Sequence, residues 1–275
     1  MSVGKVINDV SRALVDLPGI VGVVLGGSRA RGTNRPDSDI DIGIYYDVED
    51  FDVSAVGEAA LKLDDEHRDN LVSSLGEWGP WINGGGWLIV EGYHVDLIFR
   101  DVHRVEQVIE DGLRGHVSSH YHTGHPHAFL NVMYMGEIAI SKILTDPMNK
   151  LSVLKEKAMP YPNTLKKAIV EYFMFEASFS NIFADDNVDK NDAYYVSGHV
   201  FRSISCLNQV LFALNEEYCI NEKKAVAVVD RFEVKPAEYK DRIDEIVSLI
   251  SADEDDTRKG VNLLKELVSD IERLV

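Results

Sequence analysis

IVGVVLGGSRARGTNRPDSDIDIGIYY, residues 20–46, decides the fold of this 275-residue chain. A short apolar run, Ile20 to Leu25, enters the turn Gly26-Gly27-Ser28, and ten residues beyond that turn comes Asp39-Ile40-Asp41-Ile42. Side chains alternate between the two faces of a strand. A strand here therefore puts Asp39 and Asp41 on one face and Ile40, Ile42 and Ile44 on the other. The isoleucines can be buried while the carboxylates share an open face. Two neighbouring carboxylates repel one another unless a cation lies between them, and a hard divalent cation such as Mg²⁺ takes oxygen ligands while keeping room for phosphate. Glycine lets backbone N–H groups approach a phosphate closely, and a helix starting after the turn would add its dipole.

The order apolar-Gly-(Gly/Ser), a spacer of about ten residues, then Asp-apolar-(Asp/Glu)-apolar resembles the nucleotidyltransferase superfamily that includes DNA polymerase beta. Within it, the pattern is similar to that of the small antibiotic nucleotidyltransferases. Gly27, Ser28, Asp39 and Asp41 carry the match. The resemblance implies a third carboxylate on a later strand, and Asp96 in Tyr93-His94-Val95-Asp96-Leu97-Ile98-Phe99 is the candidate. Alternation there sets His94, Asp96 and Ile98 against Val95, Leu97 and Phe99.

The implied reaction moves a nucleoside monophosphate from a nucleoside triphosphate to an acceptor hydroxyl and releases pyrophosphate. Two Mg²⁺ ions about 3.5–4 Å apart would serve it. Asp39 and Asp41 would bridge both ions. Asp96 would hold the acceptor-side ion or take the acceptor proton itself. Ser28 and the backbone around Gly27 would bind the outer phosphates, with Arg29 or Arg31 stabilising the leaving group. Either arginine can equally be read as a solvated loop charge. Superfamily members often place a lysine from a helical domain on the triphosphate, which makes Lys223 or Lys224 a candidate against the plainer reading of a surface pair.

The formal net charge is −18. Nucleic-acid affinity depends on clustered Lys and Arg, so a nucleic-acid partner is not expected. An acidic cleft suits a cationic small molecule, although acidity also serves solubility alone. Arg29, Arg31 and Arg35 form a local basic cluster beside the glycine turn, as triphosphate binding requires. No apolar run approaches the roughly 18–20 residues that span a bilayer, so no membrane partner is expected. The N-terminal MSVGKVINDVSRALVDL has charges throughout and reads as an amphipathic helix rather than a secretory signal. Cys206 and Cys219 read as reduced thiols of a cytoplasmic protein.

The first 130 residues read as a mixed α/β catalytic domain. Strands are expected at about 20–25 and 39–46, then a helix ending near Gly76, strands at Trp87–Val90 and His94–Phe99, and a helix from Asp101 to about Leu113. Residues 131–275 read as helix throughout. Leu165, Ile169, Phe173 and Ala177 recur at helical spacing, as do Tyr172, Phe175, Phe179 and Phe183 beside them. Val196, Val200, Ile204, Leu207, Leu211 and Leu214 repeat likewise, and Val261, Leu264, Val268, Ile271 and Leu274 close the chain in the same way. All these stripes are expected to be bundle core. The fold class expected is a small mixed-sheet nucleotidyltransferase domain followed by a helical bundle that walls the substrate cleft.

Five of the nine histidines fall between His116 and His127. Their spacing matches no familiar zinc pattern and no cysteine is near in sequence, so a loop at the domain junction is expected rather than a metal site. Trp78, Trp81 and Trp87 read equally as core and as a stacking surface. Glu91 reads as a turn carboxylate before it reads as a base. The acceptor is expected to be a small hydroxylated molecule, an aminoglycoside or lincosamide by resemblance. Relatives that complete their acceptor site with a second subunit leave a homodimer open. AMP transfer to a protein, as in toxin–antitoxin systems, and a non-catalytic nucleotide-binding module are the alternatives. The helical half speaks against the first, and the intact carboxylate set against the second.

Overall fold

In a computed structural model, described for residues 2–190 and 192–275, the elements run in chain order. They are α1 (Val3–Val15), β1 (Ile20–Leu25), α2 (Gly27–Arg31), β2 (Ile40–Tyr46), α3 (Val53–Leu63), β3 (Gly85–Val90), β4 (Tyr93–Asp101) and α4 (Val102–Leu113). There follow β5 (Ser119–His122), β6 (His125–Leu130), α5 (Met133–Ile140), β7 (Lys142–Thr145) and α6 (Lys150–Ala158). The chain closes with α7 (Asn163–Asp185), α8 (Ala193–Leu214), α9 (Ala225–Val229), α10 (Tyr239–Leu249) and α11 (Glu254–Glu272).

These elements form two compact units, and each is discontinuous. One comprises residues 1–110 and 134–160, the other 111–133 and 161–275. The sequence reading places a single boundary at 130; the structure instead divides the chain at 110, 133 and 160.

The first unit is built on a five-stranded mixed sheet in the order β3-β4-β2-β1-β7. β1 pairs antiparallel with β2 and with β7, β3 antiparallel with β4, and β2 parallel with β4. One face of the sheet carries the core. Ile40, Ile42 and Ile44 are fully buried, as are Val95, Leu97 and Phe99. Alternation therefore operates in both strands as expected, and it leaves Asp41 and Asp96 on the other face. α1 covers the core with Val6, Val10 and Leu14, spaced one helical turn apart.

Two differences from the sequence reading have local causes. The helix expected to end near Gly76 ends at Leu63. Asp64 leaves helical geometry there, and its fully buried carboxylate accepts from Arg68 Nε at 2.9 Å and from the Ile89 N–H at 2.9 Å. These bonds hold the following chain against β3, where Val72 bridges Gly86. Residues beyond 131 are not helical throughout. Lys142–Thr145 forms a short edge strand on β1, too brief to show a periodicity.

The second unit is helical except for the β5–β6 hairpin. Its core uses the expected stripes of α7, α8 and α11: Leu165, Phe173, Ala177, Leu207, Leu211, Val261, Leu264 and Ile271 are fully buried, while Leu274, beyond the end of α11, is exposed. The neighbouring aromatic stripe of α7 is not core. Tyr172, Phe175 and Phe179 are exposed, Phe175 by 70%. They lie round the helix from Phe173 and Ala177, so the packing that buries one row turns the other outward.

Candidate active site

The site starts where β1 ends. The Gly26 N–H donates to the carbonyl of Asp41 at 2.8 Å, which ties the turn to β2. α2 begins at Gly27, with Ala30 N–H donating to the Gly26 carbonyl. A helix leaves its first N–H groups without internal acceptors, so the amides of Gly27 and Ser28 stand at that open end. Gly27 has φ +56°, and a Cβ built there would lie 1.8 Å from Asp41 Oδ2. Only glycine lets the turn and this carboxylate occupy the same space.

β2 and β4 align Asp41 directly with Asp96, and β3 places Trp87 opposite Asp96. Paired residues project to the same face. Trp87, Asp96 and Asp41 thus form one row across the sheet, and the row ends at the Gly26–Gly27 turn. Asp39 is exposed immediately before β2. Neither Asp41 nor Asp96 has an ion-pair partner among the described residues.

Burial, and then the carboxylates of Asp96 and Asp39, push Asp41 up to about 6, against the smaller opposing effect of Arg29. Burial and Asp39 likewise raise Asp96, while His94 acts the other way. Asp41 and Asp96, raised by burial and neighbouring carboxylates, with Asp39 beside them, fit a divalent metal site. Asp39, Asp41 and Asp96 are the residues that would hold it.

Residues 7–77 match the nucleotidyltransferase domain family. That stretch is about a quarter of the chain and is what the chain shares with the family. The matched stretch spans Gly27, Ser28, Asp39 and Asp41 and ends before Asp96. Domains of this family use a nucleoside triphosphate and divalent metal, and they are enzyme domains. No curated protein matches the chain. Among solved structures, a nucleotidyltransferase-like protein from Exiguobacterium sibiricum is similar to it. The identity is 10%, over 96% of this chain and 75% of that one, with a TM-score of 0.48.

Within the matched stretch, Arg29 sits differently from a free loop charge. It is only 9% exposed; Nε donates to the Asp39 carbonyl at 2.9 Å and Nη2 to the Ser38 carbonyl. Its guanidinium clamps the turn that presents Asp39. Arg31 lies half-buried at the end of α2, and Arg35 is exposed beside Asp37 at 3.7 Å. Glu91 occupies the β3–β4 turn with φ +52°, and its N–H donates to Asp65. Trp81 is core, stacked beneath the Arg104 guanidinium. Trp87 is 60% exposed and stacks on Trp78 with ring centroids 4.5 Å apart.

Lys223 and Lys224 belong to the second unit, both exposed, at the start of α9. The described residues include no helix long and apolar enough to cross a membrane.

Of the tryptophans read as core or as a stacking surface, Trp78 and Trp87 flank the carboxylate row, placed by the register of β3. One site-shaping group escaped the sequence reading. The buried Arg100–Glu137 pair, with Nε–Oε2 at 2.6 Å and Nη2–Oε1 at 2.7 Å, ties β4 to α5. No local signal joins residues 37 positions apart.

Proposed function

We propose that this chain is a Mg²⁺-dependent nucleotidyltransferase that moves a nucleoside monophosphate from a nucleoside triphosphate to a hydroxyl of a small molecule. The observation that carries this reading is the parallel register of Asp41 and Asp96 beside the Gly26–Gly27 turn. Phosphoryl chemistry needs negative charge neutralised as an oxygen approaches phosphorus in line. Two bound Mg²⁺ ions would supply that neutralisation.

The chain's own residues do the remaining work. The amides at Gly27 and Ser28, with the Ser28 hydroxyl, hold the outer phosphates. Arg29 holds the carbonyls of Ser38 and Asp39 and so orients the Asp39 carboxylate. Asp96, raised above the ordinary carboxylate range by burial and by Asp39, is placed to accept the acceptor proton. Arg31 offers charge to the leaving pyrophosphate. The stacked Trp78–Trp87 pair offers a flat apolar surface on the carboxylate face, suited to a base or a ring of the acceptor.

The net charge of −18 favours a cationic acceptor over a polynucleotide. Aminoglycosides are the first class to assay, lincosamides and simple sugars the next. The test is pyrophosphate release from each ribonucleoside triphosphate with Mg²⁺ across that acceptor panel. Acceptor-dependent release that disappears in Asp41→Asn supports the reading. Triphosphate binding without release under any acceptor rejects the small-molecule assignment.

A further inference from the structure

His127, Glu176 and Cys206 stand far apart in sequence, and the second unit brings them together. His127 lies on β6, Glu176 on α7 and Cys206 on α8. Cys206 Sγ is 3.7 Å from His127 Nε2, and Glu176 Oε1 is 3.9 Å from the same nitrogen. The three donor atoms all lie within 4.8 Å of one another. The imidazole is 5% exposed, the carboxylate 22%, and Cys206 is fully buried.

This convergence rules out one familiar use of the same residues. A thiol nucleophile activated by histidine needs its carboxylate on the other ring nitrogen, where it orients the base. Here thiol and carboxylate face one nitrogen, Nε2. Burial also pushes the Cys206 thiol well above its ordinary value, the opposite of what a nucleophile needs.

One sulfur, one nitrogen and one oxygen around a common point describe a metal coordination set. Zinc binds thiolate at about 2.3 Å and imidazole or carboxylate at about 2.0–2.2 Å. Tetrahedral angles then give ligand–ligand edges of roughly 3.4–3.6 Å. The Sγ–Nε2 separation of 3.7 Å and the Nε2–Oε1 separation of 3.9 Å exceed those edges by up to about 0.5 Å, and the third pair lies within 4.8 Å.

The charges balance as well. A thiolate and a carboxylate with a neutral imidazole carry two negative charges, which a divalent ion cancels in a largely buried place. Binding forms the metal–sulfur bond, breaks the S–H bond of Cys206 and releases that proton to solvent. Arg202 Nε is 3.2 Å from the same Glu176 Oε1, and its side chain is 53% exposed. Metal binding through Oε1 therefore requires this exposed guanidinium to move onto Oε2 or into solvent.

We propose that His127, Glu176 and Cys206 bind a divalent ion of the zinc class, with one coordination position left to water, and that the ion ties the β5–β6 hairpin to α7 and α8. The donor set separates this site from the carboxylate row of the first unit. Sulfur and nitrogen ligands select zinc-like ions over Mg²⁺, which requires oxygen. The tie is placed where the second unit is discontinuous, joining its 111–133 segment to its 161–275 segment.

The full chain, stripped with a chelator, is titrated with Co²⁺ as a spectroscopic stand-in for zinc. The expected result is a sulfur-to-cobalt charge-transfer band in the near ultraviolet that saturates at one equivalent. Zn²⁺ should displace it, and a thousandfold excess of Mg²⁺ should not. Cys206→Ser should abolish the band and Cys219→Ser should keep it. His127→Gln and Glu176→Gln should each weaken Co²⁺ affinity at least tenfold, with far-ultraviolet circular dichroism unchanged. Should Cys206→Ser fail to fold, the two Gln variants decide. Absence of a sulfur band in the parent chain overturns the proposal. So does a band that survives Cys206→Ser, or affinity unchanged in both Gln variants.

Discussion

Replacing Gly27 with alanine is the sharpest probe of the turn–carboxylate arrangement. A Cβ at this position would lie 1.8 Å from Asp41 Oδ2 and 2.5 Å from Asp41 Cγ. Ordinary contact begins at about 3.4 Å, so the carboxylate oxygen must retreat by about 1.6 Å. The strand itself need not move, because the Gly26 N–H still holds the Asp41 carbonyl. A left-handed φ of +56° at a residue with a Cβ adds about 1–2 kcal/mol of destabilisation.

Displacement of a reacting or positioning group by about 1 Å can cost roughly 100-fold in rate. Gly27→Ala should therefore lose at least about 100-fold in kcat, weaken Mn²⁺ binding, and lower the melting temperature by only about 2–8 °C. Turnover is read by pyrophosphate release with whichever acceptor supports it, Mn²⁺ binding by titration calorimetry, and stability by thermal unfolding. Gly26→Ala is the internal control. Its φ is −108°, and its Cβ would meet Asp41 Cβ at an ordinary 3.6 Å. It should keep most activity. If Gly27→Ala retains kcat and Mn²⁺ affinity within threefold of the parent chain, the close packing of turn and carboxylate has no functional weight and the reasoning fails.

Three further outcomes are expected. Asp41 is raised above its unfolded value, so its contribution to stability in the metal-free protein is fully present below about 4 and is lost as pH rises through about 6. Added Mg²⁺ should accordingly raise the melting temperature at pH 8 and lose that effect as pH falls through about 6; an Mg²⁺ shift independent of pH in thermal scans would contradict it. Arg29→Lys removes the paired donation to Ser38 and Asp39, so it should lower kcat roughly 10-fold or more with little change in KM for the triphosphate; steady-state kinetics showing only a raised KM would make Arg29 a phosphate ligand instead. Glu137→Ala leaves the buried Arg100 guanidinium without its carboxylate and should cost about 3–5 kcal/mol in urea unfolding; a cost below about 1 kcal/mol would mean that the pair contributes little.

The strand-turn-strand segment was legible because its information is local. Alternation within Asp39–Ile44 and His94–Phe99 assigns each residue to a face before any partner is known, and the observed burial follows that alternation. Features decided by distant partners were not legible. Arg29 looks like a loop charge until Ser38 and Asp39 fold back over it. The end of α3 depends on what Asp64 meets on β3, 25 residues later. The exposed row Tyr172, Phe175 and Phe179 has the same spacing as true core, and only the position of the other helices separates the two. The histidine segment lacked a cysteine in sequence because Cys206 reaches His127 across 79 residues.

The carboxylate row also has to be reconciled with folding. Asp41 and Asp96 are each raised by burial and by neighbouring carboxylates, so at neutral pH the metal-free protein holds charge where charge is disfavoured. A purely structural strand would gain by replacing either aspartate with threonine or valine, residues that suit a sheet face at no electrostatic cost. The sheet tolerates the strain because the opposite face is strongly apolar. Ile40, Ile42, Ile44, Val95, Leu97 and Phe99 are all fully buried, and burying a side chain of this size contributes about 1.5–3 kcal/mol. That surplus fixes β2 against β4 in register and leaves Asp41 no freedom to drift from Asp96. Repulsion between the carboxylates and rigidity of the backbone beneath are then two parts of one arrangement, which a divalent cation at the row would relieve.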